Sequence, residues 1–235
     1  MDEKTISYKY RFRLADGTGK EFAIRVDARS LDLVPAKRDH YPDWSALVHH
    51  QCPNCPLRPE QHPRCPIAAN LVDLVDFFKE VMSYDEVDVH IETDQRQYTK
   101  HTSVQQALSS VLGIYMVTSG CPVMDQLRPM VRFHLPFSTL EETTYRAISM
   151  YLMAQYFRRK RGLRPDWELK GLIPIYEEIQ TVNKSFVQRL NELKGKDANS
   201  NALIILDSFA GYVTFSINTD LLDEVEGLFK SYLEE

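Results

Sequence analysis

Cys52-Pro53-Asn54-Cys55-Pro56-Leu57, running on through Arg58-Pro59-Glu60-Gln61-His62-Pro63-Arg64 to Cys65-Pro66, is a stretch with no apolar period of its own. Prolines at 35, 42, 53, 56, 59 and 63 keep residues 35–65 out of regular structure. Proline lacks the amide donor and disfavours helix in the residue before it. A loop this long is costly unless something ties it down. Three cysteines offer the tie: the C-x2-C pair, Cys52 and Cys55, sets two sulfurs on one tight turn, and Cys65 returns a third. Cys121, followed like the others by a proline, supplies a fourth. Four thiolates complete a tetrahedral all-sulfur shell.

The prolines also say where two of these sulfurs sit. Pro66 and Pro122 each open an apolar-periodic run, Ile67 to Met82 and Val123 to Met130. Proline favours the first helical position, and an extended residue before it is an N-cap. Cys65 and Cys121 are therefore expected at helix N-termini, where free amides and the helix dipole lower a thiol pKa. Disulfides are the competing use of four cysteines. No hydrophobic signal core follows Met1-Asp2-Glu3-Lys4, so a reducing cytoplasm is expected, and there thiols persist.

Outward from the loop, the periodicity changes once. Ile6, Tyr8, Tyr10, Phe12 and Leu14 alternate with polar residues, Asp16-Gly17-Thr18-Gly19 turns the chain, and Phe22, Ile24 and Val26 alternate back. That predicts a hairpin over 6–27. A helix over about 66–83 carries Leu71, Leu74, Val75 and Phe78 on one face. Val87, Val89 and Ile91, a turn at Asp94-Gln95 and a return over 97–100 predict a second hairpin. From Ser103 onward the reading is helical: 103–118, 122–131, 139–161, 167–194, 199–216 and 219–234. Ser138-Thr139-Leu140-Glu141 reads as a capping box, Gly162 and Gly195 as helix ends, and Pro174 as a kink or break. Asp197 to Asn201 reads as a helix cap rather than a calcium loop, which needs a glycine and a glutamate absent here.

The fold class expected is α+β: N-terminal antiparallel hairpins and one helix around a Cys-rich metal loop at 49–66, followed by a C-terminal helical bundle. One domain over 1–235 is expected, with an α+β part at 1–102 and a helical part at 103–235, because Cys121 would staple the two. No apolar run approaches the ~20 residues that span a bilayer. The formal charge of −5 is the wrong sign for a general nucleic-acid binder. A protein partner or homo-oligomer stays open.

Beyond the cysteines, chemistry concentrates in Ser119–Arg146. His134, Glu142, Tyr145 and Arg146 could converge on one pocket as general base, acid and fixed cation. The plainer reading places Glu142 in a helix first turn, paired with Arg146. His49, His50 and His62 adjoin the metal loop, and each could replace a cysteine in a site of three thiolates and one imidazole. No H-E-x-x-H, G-x-x-x-x-G-K, G-x-G-x-x-G or G-x-S-x-G occurs in the chain.

His-Gln-Cys-Pro-Asn-Cys-Pro-Leu at 50–57, Arg-Cys-Pro-Ile-Ala-Ala-Asn-Leu at 64–71, Ser-Gly-Cys-Pro-Val-Met at 119–124 and Arg-Phe-His-Leu-Pro-Phe-Ser-Thr-Leu-Glu-Glu-Thr at 132–143 carry a resemblance. The chain resembles a family of uncharacterised bacterial proteins over most of its length. The resemblance implies a bacterial cytoplasmic origin and cysteines acting as one unit; it supplies no activity and no catalytic residue. Three readings stand: a four-cysteine centre of structural zinc with a binding or regulatory role, a 4Fe-4S cluster protein for redox or sensing, and an enzyme with its pocket at His134 and Glu142.

Overall fold

The computed structural model describes residues 5–34 and 38–234; Met1 to Lys4 and Pro35 lie outside them. Two hairpins form one antiparallel sheet of order β2-β1-β3-β4, with β1 Thr5–Leu14, β2 Gly19–Asp27, β3 Glu86–Thr93 and β4 Gln97–Ser103. The alternation read from the sequence decides its two faces. Tyr8, Tyr10 and Phe12 are buried beside Phe22, Ile24, Val26, Val87, Val89 and Ile91. The opposite face is charged and wet, with Arg11 bridging Glu21 and Glu92. One-sided burial is what an antiparallel sheet tolerates.

Helix α1, Pro66–Phe78, lies on the buried face. Phe78 meets Phe12 edge-on at 5.1 Å between ring centroids and stacks near Phe22 at 6.3 Å. Emptying that contact by Phe78→Ala costs about 3–5 kcal/mol. Helix α2, Val104–Thr118, follows β4 directly and buries Val104, Ala107, Leu108, Val111 and Leu112. It ends at Gly120, whose φ of +89° suits glycine alone without strain. That reversal delivers Cys121.

The run expected as one helix over 122–131 is split. A 3-10 turn, Met124–Leu127, precedes α3, Arg128–Arg132. Pro129 has no amide to donate, so it starts a new helix more easily than it continues an old one. Helix α4, Leu140–Lys160, begins one residue later than its sequence signal suggested. Thr139 is the N-cap, accepting from the Glu142 amide at 3.1 Å, while Glu142 accepts from the Thr139 amide at 2.8 Å. The box is thus Thr139–Glu142, not Ser138–Glu141.

Asp166 latches the loop after α4, accepting from the Tyr151 hydroxyl and the Gly171 amide. Helix α5, Leu172–Asn191, starts there, which places Pro174 in its first turn. No intrahelical donor is lost at that position, so neither kink nor break follows. Gly195 does not end α5. Its backbone lies so close to Lys79 that an added Cβ would meet the Lys79 carbonyl oxygen at 2.4 Å. Helix α6, Ala198–Asn218, has Asp197 at its N-cap position, and the Asp197 carboxylate accepts from the Ser83 amide and hydroxyl.

The segment 219–234 forms short turns rather than one helix, among them α7, Asp223–Glu226, and α8, Lys230–Leu233. Leu228 and Tyr232 are 77% and 86% exposed; a short helix without a packed face is marginal. Helix α6 departs from expectation too. It is 21 residues long, a window of 18 of them reaches a mean hydropathy of 1.3, and it is long and apolar enough to cross a membrane, yet it packs among α2, α4 and α5.

Candidate functional site

The four cysteines arrive from three separate stretches of chain. Cys52 and Cys55 close a turn, with the Cys55 amide donating to the Cys52 carbonyl at 3.0 Å. Cys65 is the extended N-cap of α1, with Pro66 at its first turn. The amides of Ala68 and Ile67 lie near its sulfur and favour the thiolate. Cys121 stands before the 3-10 turn, and the nearby amides of Met124 and Val123 favour its thiolate. All four line one small cavity of about 20 Å³, closed by Leu47, Ile67, Val123, Val182 and Arg189. None forms a disulfide.

Among the described residues, the only three or more candidate metal donors within 4.8 Å of one another are on His49, His50 and Glu192. No three thiol sulfurs meet that distance. The expectation of depressed thiol pKa values also needs correcting. Burial pushes Cys52 up to about 11, with the neighbouring Cys65 sulfur adding to it. Burial likewise raises Cys65 and Cys121, outweighing the nearby backbone amides that pull each of them down. The helix ends orient donors at the sulfurs, but desolvation is the larger effect.

Arg189 is the residue that spacing rules missed. It is only 1% exposed and borders the cysteine cavity. Its guanidinium donates to the carbonyls of Trp44 at 2.6 Å, Ala46 at 2.8 Å and His50 at 3.4 Å. No carboxylate pairs with it among the described residues; the ionisable groups facing it are the thiols of Cys65, Cys52 and Cys55. Burial pulls its pKa down and those sulfurs oppose the shift. A signal was present: Arg189 lies at the helical spacing of Val182 and Phe186, on the face of α5 that packs inward.

The loop has fastenings of its own. Besides Arg189, the Cys65 amide donates to Ser45 and the Leu47 amide to Pro63. Gln51 reaches the Leu57 carbonyl and Asn54 the carbonyl and carboxylate of Glu178. His50 contacts Glu192 at 2.6 Å and His49 the same carboxylate at 3.3 Å. Neither lines the cysteine cavity, and His62 is exposed.

His134 lies elsewhere, on the wall of a second, larger cavity of about 550 Å³ between α2, α5, α6 and the segment 134–146. Its Nε2 is 2.7 Å from the Tyr10 hydroxyl, which also meets Ser110 at 3.0 Å. Burial, helped by the Arg146 charge, lowers its pKa to about 3, so the imidazole is neutral at physiological pH. Arg146 lines the same cavity and donates to the carbonyls of Phe133 at 2.8 Å and Met130 at 3.1 Å. Those carbonyls, not Glu142, are its hydrogen-bond partners. Glu142 is spent in the capping box, Tyr145 is half exposed, and neither lines the cavity. Of the four residues singled out around His134, the fold brings two together.

No curated protein and no solved structure matches the chain. A family profile described as a domain of unknown function, DUF6901, matches residues 6–230. The four cysteines, Arg189 and the His134 cavity all fall within that span, and the chain belongs to this family.

Proposed function

We propose that Cys52, Cys55, Cys65 and Cys121 hold one 4Fe-4S cluster and that the protein serves a redox or sensing role through it. The observation that carries the reading is their convergence on one cavity, with no three of the four sulfurs all within 4.8 Å of one another. Zinc in an all-thiolate shell draws its sulfurs to about 3.8 Å from one another, since each bond is ~2.3 Å and the angles are tetrahedral. A 4Fe-4S core stands between its cysteines and holds their sulfurs about 6 Å apart, so the cavity of about 20 Å³ would open on binding it. Arg189 supports an anionic occupant of either kind. Four thiolates around a 2+ core leave two net negative charges, and a buried guanidinium without a carboxylate is costly unless such a charge faces it.

Binding would take the protons of thiols that burial otherwise keeps neutral. With a cysteine on every iron, no coordination position is left for substrate, so the chemistry offered is electron transfer or a cluster-dependent change of fold. Anaerobically purified protein tests this directly. Iron and acid-labile sulfide in equal amounts, with absorbance near ~400 nm, are expected; colourless protein carrying zinc alone would return the site to a structural role.

A further inference from the structure

We propose that the 550 Å³ cavity beside His134 binds a small amphipathic acid, a hydrocarbon body with one carboxylate head. Its size falls in the range of ligand pockets, roughly 300–1,000 Å³, and far exceeds the voids that packed interiors retain. Its walls are apolar, with Ile114 and Val117 from α2, Ile179 from α5, and Leu206 and Phe209 from α6. This explains why so apolar a helix as α6 is so little buried: part of its apolar face looks into the cavity rather than into packed side chains.

The charges in the wall have one sign. Lys100 and Arg146 line the cavity, and no aspartate or glutamate does. Among the described residues neither cation forms an ion pair within hydrogen-bonding reach: Arg146 donates to two backbone carbonyls through Nη2 alone, and Lys100 lies 5.4 Å from the Phe137 ring centre. An anionic head on an apolar body is the ligand that complements both features.

Calorimetric titration of the full chain, metal centre intact, with octanoate, decanoate and dodecanoate tests the proposal. Affinity should rise about four-fold per added methylene, the gain from burying each one. Decylamine should not bind. Lys100→Met should weaken decanoate about ten-fold without changing the melting temperature, since charge-assisted contacts are the strong ones; Arg146→Met should do the same with some loss of fold. Gly113→Leu separates this cavity from any other surface. Gly113 is in the wall, and a Cβ there meets nothing nearer than Leu206 at 3.9 Å, so the variant should fold and bind no decanoate. Folded protein that ignores all three acids, that binds decylamine as well as decanoate, or that still binds decanoate as Gly113→Leu would overturn the proposal.

Discussion

Replacing Arg189 by methionine separates a residue that fastens a loop from one that faces a charged centre. The side chain is 1% exposed and donates to the Trp44 and Ala46 carbonyls at 2.6 and 2.8 Å. Hydrogen bonds from a charged donor contribute about 1.5–3 kcal/mol each, so about 3–6 kcal/mol is lost in any state of the protein. In the cluster-free state that loss is offset by removing a buried cation with no counter-charge, and the net change should stay within about 2 kcal/mol. With the cluster present the variant also leaves a buried anionic centre unpaired, which costs a further ~3–5 kcal/mol. The difference between the two states corresponds to binding weakened more than about a hundred-fold. Denaturant titrations of parent and Arg189→Met, each loaded and stripped anaerobically with chelator, give the four free energies. Equal destabilisation in both states would refute the reasoning and leave Arg189 as a fastener of the loop.

Cys121→Ser should lower bound iron to less than about half and lower the melting midpoint of loaded protein, while stripped parent and stripped variant melt together, since metal binding energy is folding energy. The His134 imidazole, depressed from 6.5 to about 3 in the fold, binds its proton more readily in the unfolded chain. Stability should therefore fall as pH drops from about 6.5 towards 3, by up to ~2 kcal/mol at pH 5, and His134→Gln should flatten that limb in urea titrations. Gly195→Ala should destabilise by about 1–3 kcal/mol in the same assay, because its Cβ would strike the Lys79 carbonyl.

Elements whose side chains face one way were legible from the chain alone. The alternation of Tyr8, Tyr10 and Phe12 and the spacing of Leu71, Leu74, Val75 and Phe78 located the sheet and α1 because burial has a period. Strand order was not legible, since β1 could accept β3 on its free edge only through contacts distant in sequence. Cys-Pro spacing marked the cysteines, but not that burial raises Cys52, Cys65 and Cys121, which depends on what surrounds them. Glu142 and Arg146 are four residues apart on one helix and read naturally as a pair; each instead satisfies backbone atoms, Glu142 at Thr139 and Arg146 at Met130 and Phe133. Arg189 lay hidden because a cation on an apolar face looks like an interruption until the loop carbonyls of Trp44 and Ala46 are folded against it. Cavities leave no local signature at all.

Anomalous diffraction at the iron edge, from crystals of anaerobically purified protein, tests the shared centre most directly. About four iron peaks inside the cysteine cavity, with each of Cys52, Cys55, Cys65 and Cys121 bonded to its own iron, is the result predicted. A single zinc at the site, or a Cys121 sulfur more than ~4 Å from any metal held by the other three, would contradict it.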